Sequence, residues 1–199
     1  KTAGKESIWV PAAAMKPTTS NGCAELATVE TTSSVSSVDI QGCFTTAYDF
    51  YTVRYGMLNS NGNYYFEPTW LKSNNSPDTT QMVAKYSELY GGYSTATGGV
   101  GYQTDTDGFR IMNTWYQNDD HYRCHGDIEV TDPLLTHTPK HFWSQRCFYS
   151  YGNNAGSHIG HDIGVGYQNS SETHTGIRFR MNGGTIASGF RATVYGMKN

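Results

Sequence analysis

Charge of either sign is in short supply: 14 Lys and Arg stand against 17 Asp and Glu in 199 residues, a net charge of −3. No cluster of basic residues is dense enough to neutralise a run of phosphates, so nucleic acid is not an expected partner. Apolar residues are sparse too, at 37% against a usual ~45–50%. No stretch approaches the ~20 apolar residues of a helical membrane span, and a membrane partner is not expected. The first residues lack the basic-then-apolar pattern of a secretory leader. Leucine, glutamate and lysine are few, which disfavours helices. The four cysteines, Cys23, Cys43, Cys124 and Cys147, form no Cys-x-x-Cys pair, so their spacing does not suggest zinc. They read as buried thiols acting as small hydrophobes, with two disulfides the alternative in an oxidising compartment. Catalytic fingerprints are missing as well. There is no Gly-x-Ser-x-Gly and no phosphate or dinucleotide loop, and Gly160, Gly164 and Gly166 sit in a strand pattern with no helix to follow. No cofactor is expected, and the chain does not read as an enzyme.

What is there is Gly (22), Tyr (15), Ser, Thr and Asn, a composition suited to short strands joined by polar turns. One domain of this length buries roughly 70% of its unfolded surface. Alternation recurs from Val38 onward. Tyr48, Phe50, Thr52 and Arg54 interleave with Tyr51, Val53, Tyr55 and Met57. Asn59-Ser60-Asn61-Gly62-Asn63 then signals a hairpin, with Tyr64 to Leu71 as the returning strand and Pro68 marking an edge or bulge. Gln81 to Tyr90 has Met82, Val83, Tyr86 and Leu89 near a 3.6-residue period, so a short helix competes there with a strand. Further alternating runs are Phe109–Trp115, Tyr122–Val130, Ile159–Tyr167, Ile177–Met181 and Phe190–Val194, and Lys140–Tyr151 is a strand rich in aromatics. Eight to ten strands without intervening helices predict an all-β, antiparallel, two-sheet sandwich, jelly-roll-like. The body spans 38–199. Residues 1–37, rich in Thr, Ser and Ala, read as an extended N-terminal arm or a first edge strand. Ile8, Trp9, Val10 and Met15 are its candidate assembly contacts.

Candidate chemistry is thin. His121 and His125, with Asp119 and Asp120 beside them, share a strand face and are candidate metal ligands, but Asn118-Asp119-Asp120 is also ordinary turn chemistry. His161, near His158 and Asp162, lies among Ile159 and Ile163, where a hydrogen-bonded core or interface histidine is the simpler expectation. Asp127 and Glu129 share a strand face, as many surface acids do. No metal site is assigned. Trp70, Trp115, Tyr116, Trp143, Tyr149 and Tyr151 are candidate aromatics for an interface or for stacking on a sugar, the interface or core being favoured.

Phe44-Thr45-Thr46-Ala47-Tyr48-Asp49-Phe50-Tyr51 resembles an opening found in virion proteins of marine tailed phages. Gly126-Asp127-Ile128-Glu129-Val130 with Asp132-Pro133, and the ending Phe179 to Gly196 with its Asn182-Gly183-Gly184 turn, are similar to the same group. Gly4 to Pro11 is similar to the start of other phage structural proteins. The resemblance implies a jelly-roll-like particle protein: a capsid decoration protein, a capsid fibre or a tail-fibre component. It implies location on the virion, with other virion proteins and copies of itself as partners. A homotrimer is expected, because such modules commonly close with cyclic symmetry. A tail-fibre module that binds a host-surface glycan is the alternative. The resemblance brings no catalytic residues.

Overall fold

A computed structural model describes residues 4–9, 23–58, 65–92, 95–105, 108–109, 112–113, 123–136, 140–153 and 156–198. Among them the chain is all-β. A five-stranded sheet runs in the order β1 (Gly4–Trp9), β3 (Val35–Gln41), β12 (His174–Met181), β5 (Tyr65–Lys72), β8 (Met112–Asn113). An eight-stranded sheet runs β2 (Cys23–Glu30), β13 (Arg191–Met197), β4 (Phe50–Leu58), β9 (Arg123–Thr131), β10 (Lys140–Asn153), β11 (Gly156–Gln168), β6 (Met82–Gly92), β7 (Thr95–Asp105).

From β2 to β6 successive strands change sheet, and each pairs with a strand from the C-terminal half: β2 with β13, β3 with β12, β4 with β13, β5 with β12 and β6 with β11. This is the rolled-up double strand of a jelly-roll-like sandwich. Among the described strands the pairing is antiparallel except at one place: β1 lies parallel to β3. The parallel pair is possible because β2, which separates the two in sequence, lies in the other sheet and supplies the crossover.

Alternation puts Tyr51, Val53 and Tyr55 of β4, Ile128 and Val130 of β9, Phe66 and Trp70 of β5, and Ile177, Phe179 and Met181 of β12 between the sheets. The sheets interlock through rings: Phe66 stacks on Phe179 with centroids 5.5 Å apart, and both touch Tyr55 from the facing sheet. Phe109 stacks on Trp143 at 4.1 Å and touches Trp70. Glycines make room for this crowd. A Cβ on Gly126 would stand 2.4 Å from the Tyr55 hydroxyl oxygen, and one on Gly166 would stand 2.1 Å from the Trp143 ring.

Several expectations need correction. The Asn59–Asn63 turn lies outside the described residues, but its flanking strands are not a hairpin: β4 and β5 lie in different sheets. Turn chemistry reverses the chain without choosing its partner, and here the reversal crosses the sandwich. Pro68 sits on β5 past the two pairs made with β8, where its missing N–H breaks no ladder bond, while its carbonyl accepts Phe109 N–H at 3.0 Å. The helix weighed against a strand over Gln81–Tyr90 is the strand β6. Met82 and Val83 are both buried because both faces are covered there, which blurred the period. Of the run Phe109–Trp115, only β8 is a described strand. Of the segment 1–37, β1 and β2 are edge strands of the two sheets and the start of β3 lies inside the smaller one. Leu26, Val29 and Val35 are core residues, and the 37/38 boundary falls inside β3.

Candidate interaction surface

The larger sheet is three strands wider than the smaller one, and its β11–β6–β7 wing carries an unusual outer face. Three rows run across it: Val165–Lys85–Tyr102, Ile163–Ser87–Val100 and His161–Leu89–Gly98. Partners in a row share a face. Five of these residues are large, apolar or aromatic, and open: Val100 is 89% exposed, Tyr102 62%, Val165 53%, Ile163 48% and Leu89 46%. Together they leave on the order of 500 Å² uncovered, near the top of the ~300–600 Å² seen for the largest patch on a typical monomer. A shallow open groove runs through the first two rows.

The reason lies in β11. Its apolar stripe, Ile163 and Val165 with His161 and Tyr167, points outward, and its inward positions are Asp162, Gly164, Gly166 and Gln168. Trp143 from β10 occupies the space over Gly166 and completes the core there. An alternating sequence fixes two faces but does not say which one is buried.

Next to the wing the same face turns polar. Arg146, opposite Ile163, donates to Asp127 at 3.0 Å and lies 3.7 Å from Glu129, which accepts from Ser144. Arg54 sits over the Tyr195 ring at 5.6 Å. Asp127 and Glu129, weighed as a carboxylate pair, are thus partners of one arginine. An apolar field bordered by charged and polar groups has the anatomy of an interaction surface.

A second cluster has the residue types of a hydrolase but not the arrangement. Asp78 Oδ2 accepts from His174 Nε2 at 2.6 Å and from Ser170 Oγ at 2.6 Å, while Oδ1 accepts from Thr80 N–H at 2.9 Å and from the Thr80 hydroxyl. Burial alone would push the Asp78 carboxyl up. The hydrogen bonds from His174, Ser170 and Thr80 outweigh it and hold the group well below the usual carboxylate range. The serine donates to the carboxylate rather than to the histidine, so no base activates it. Asp78, Ser170 and His174 are all sealed from solvent. The cluster pins the β5–β6 connection to the β11–β12 connection.

The residues singled out in the sequence scatter. Ile8 and Trp9 lie in β1, the edge strand of the smaller sheet, opposite Ile40 and Gln41. Val10, Met15, Trp115, Tyr116 and His121 lie outside the described residues. Tyr149 and Tyr151 are on β10, at register positions opposite Gly160 and His158 of β11. His125 and His161 both stand opposite Phe148, on β9 and β11. They are therefore two strand spacings, ~9–10 Å, apart. Among the described residues no group of three or more His, Cys, Asp or Glu is gathered to hold a metal. The wing was missed. Its only local sign was the strict alternation of Ile159–Tyr167 over a strand whose other positions are largely glycine.

No family model matches the chain, and no curated protein matches it. Among solved structures it is similar to a Scytalido-glutamic peptidase with a peptide-based transition-state analogue, at 9% identity and a TM-score of 0.22, over 85% of this chain and 66% of that one. A likeness at that score carries no argument about chemistry.

Proposed function

We propose that this protein is a structural component of a phage particle, a capsid decoration or fibre protein, that acts through contacts between copies rather than by catalysis. The observation that carries the reading is the apolar wing, and the sequence resemblance gives it its setting. The occupant of the wing is a second copy of this chain, with three copies closing around an axis. Two features favour self-association. Between Thr95 and Thr104 the outer strand β7 has no charge and no proline, the usual defences of a sheet edge. The patch also has a suitable size. The patch supplies most of a standard interface of ~800 Å² per partner, and its polar border supplies the rest.

The test is molar mass by light scattering at micromolar concentration, for the natural chain and for a Val100→Lys, Val165→Lys double variant. The expected result is a natural chain at three times its 22.0 kDa mass and a folded monomeric variant, since both side chains already face water. A natural chain that stays monomeric near 100 µM overturns assembly through the wing. Binding on a glycan array, abolished by Tyr102→Ala, would then favour the receptor-binding alternative.

A further inference from the structure

We propose that Cys124 and Cys147 form a disulfide across β9 and β10 when the chain folds in the presence of a small-molecule disulfide. The two residues are diagonal neighbours on the core side of adjacent strands: Cys124 is opposite Tyr149, and Cys147 is opposite Gly126. Their sulfurs stand 3.0 Å apart, about 1 Å beyond the ~2.05 Å of an S–S bond. Gly126, between them on that face, contributes no side chain, and the Tyr55 ring fills the space above it.

The other two cysteines are placed differently. Cys43 is buried after β3, with its sulfur directed to Ile40 O at 3.6 Å. Cys23 begins β2, at the far edge of the larger sheet.

The chemistry is thiol–disulfide exchange with a reagent of the glutathione disulfide class. One cysteine thiolate attacks a reagent sulfur and expels the first reagent thiolate. The second cysteine thiolate attacks the resulting mixed disulfide and expels the other. Two protein thiols and one small disulfide become one protein disulfide and two small thiols, with the two protons passing to the released thiolates. The timing follows from burial. In the folded sheet both sulfurs are closed off from solvent. The hydrogen bond shared with Cys147 and burial also push the Cys124 thiol well above its ordinary range. The exchange therefore occurs before β9 and β10 close, and the finished bond is then shielded from reductant.

The experiment is refolding of the reduced, unfolded chain in an oxidised and reduced glutathione buffer, with thiols then counted in guanidinium and peptides mapped by mass. The expected result is two free thiols of four, with the linkage joining the peptides that contain Cys124 and Cys147. The cross-link closes a chain segment of 23 residues, so the oxidised protein should melt roughly 7–14 °C above its reduced form. A Cys124→Ser, Cys147→Ser variant should retain two thiols under either condition. Four free thiols in the refolded natural chain, or a linkage through Cys23 or Cys43, overturns the proposal. The mapping uses the natural chain, so it is decisive even if the variant folds poorly.

Discussion

Replacing Asp78 by alanine tests whether the buried cluster between β5–β6 and β11–β12 is a structural knot. The carboxylate is 2% exposed and satisfies His174, Ser170 and Thr80 together. Its removal strands the His174 and Ser170 donors in sealed positions, at about 1–3 kcal/mol for each unsatisfied group. The expected destabilisation is about 4 kcal/mol, the same scale as breaking a buried pair. For a chain of this length that lowers the melting temperature by roughly 8–16 °C. Urea unfolding from pH 7 to pH 2.5 reads the same interaction by linkage. The folded carboxyl is held below its unfolded value of ~3.9. Its contribution is therefore full above about pH 4 and drains as pH falls toward the folded value. The gap between natural chain and variant should narrow as pH falls below about 4. A cost under about 1 kcal/mol at neutral pH, or a gap that does not change down to pH 2.5, would refute the reasoning.

Gly166→Ala should cost more than 2 kcal/mol in the same urea assay. Its Cβ would stand 2.1 Å from the Trp143 ring and 2.6 Å from Val83 O, and neither a buried indole nor a strand backbone gives way easily. Two arginines on strands should respond to very different extents. Arg178 grips Asp39, which is fully buried, at 2.7 and 2.9 Å, so Arg178→Met removes a two-point ion pair from a buried carboxylate and should cost about 3–5 kcal/mol. Arg146 is half exposed beside Asp127 and Glu129, and Arg146→Ala should change stability by less than about 1 kcal/mol. Equal effects from the two would contradict the burial argument.

Much of the strand inventory was legible in the sequence because alternation is local. β4, β9, β10, β11, β12 and β13 fall within a few residues of the runs read from Tyr48, Tyr122, Lys140, Ile159, Ile177 and Phe190. Other features were not legible, for a common reason. The separation of β4 from β5 is a choice of partner, and Asn-Gly turns are compatible with either choice. β6 was ambiguous because its start is covered on both faces and the rest of it is not. Nothing near Asp78 announces His174, 96 residues away, since a buried hydrogen bond leaves no periodic trace. The wing was visible as a pattern and invisible as a surface.

Sequence alone decided that this chain is made of strands. Few helix formers, abundant Thr and Tyr, and glycine and asparagine at the breaks leave a pleated backbone as the way to bury what apolar surface there is. Tertiary structure decided which side of each strand meets water. In β11 Trp143, a residue of the neighbouring strand, fills the core above glycine, and the strand's own isoleucine and valine are turned out to solvent. A period of two is symmetric between faces, and only packing against a second sheet breaks that symmetry.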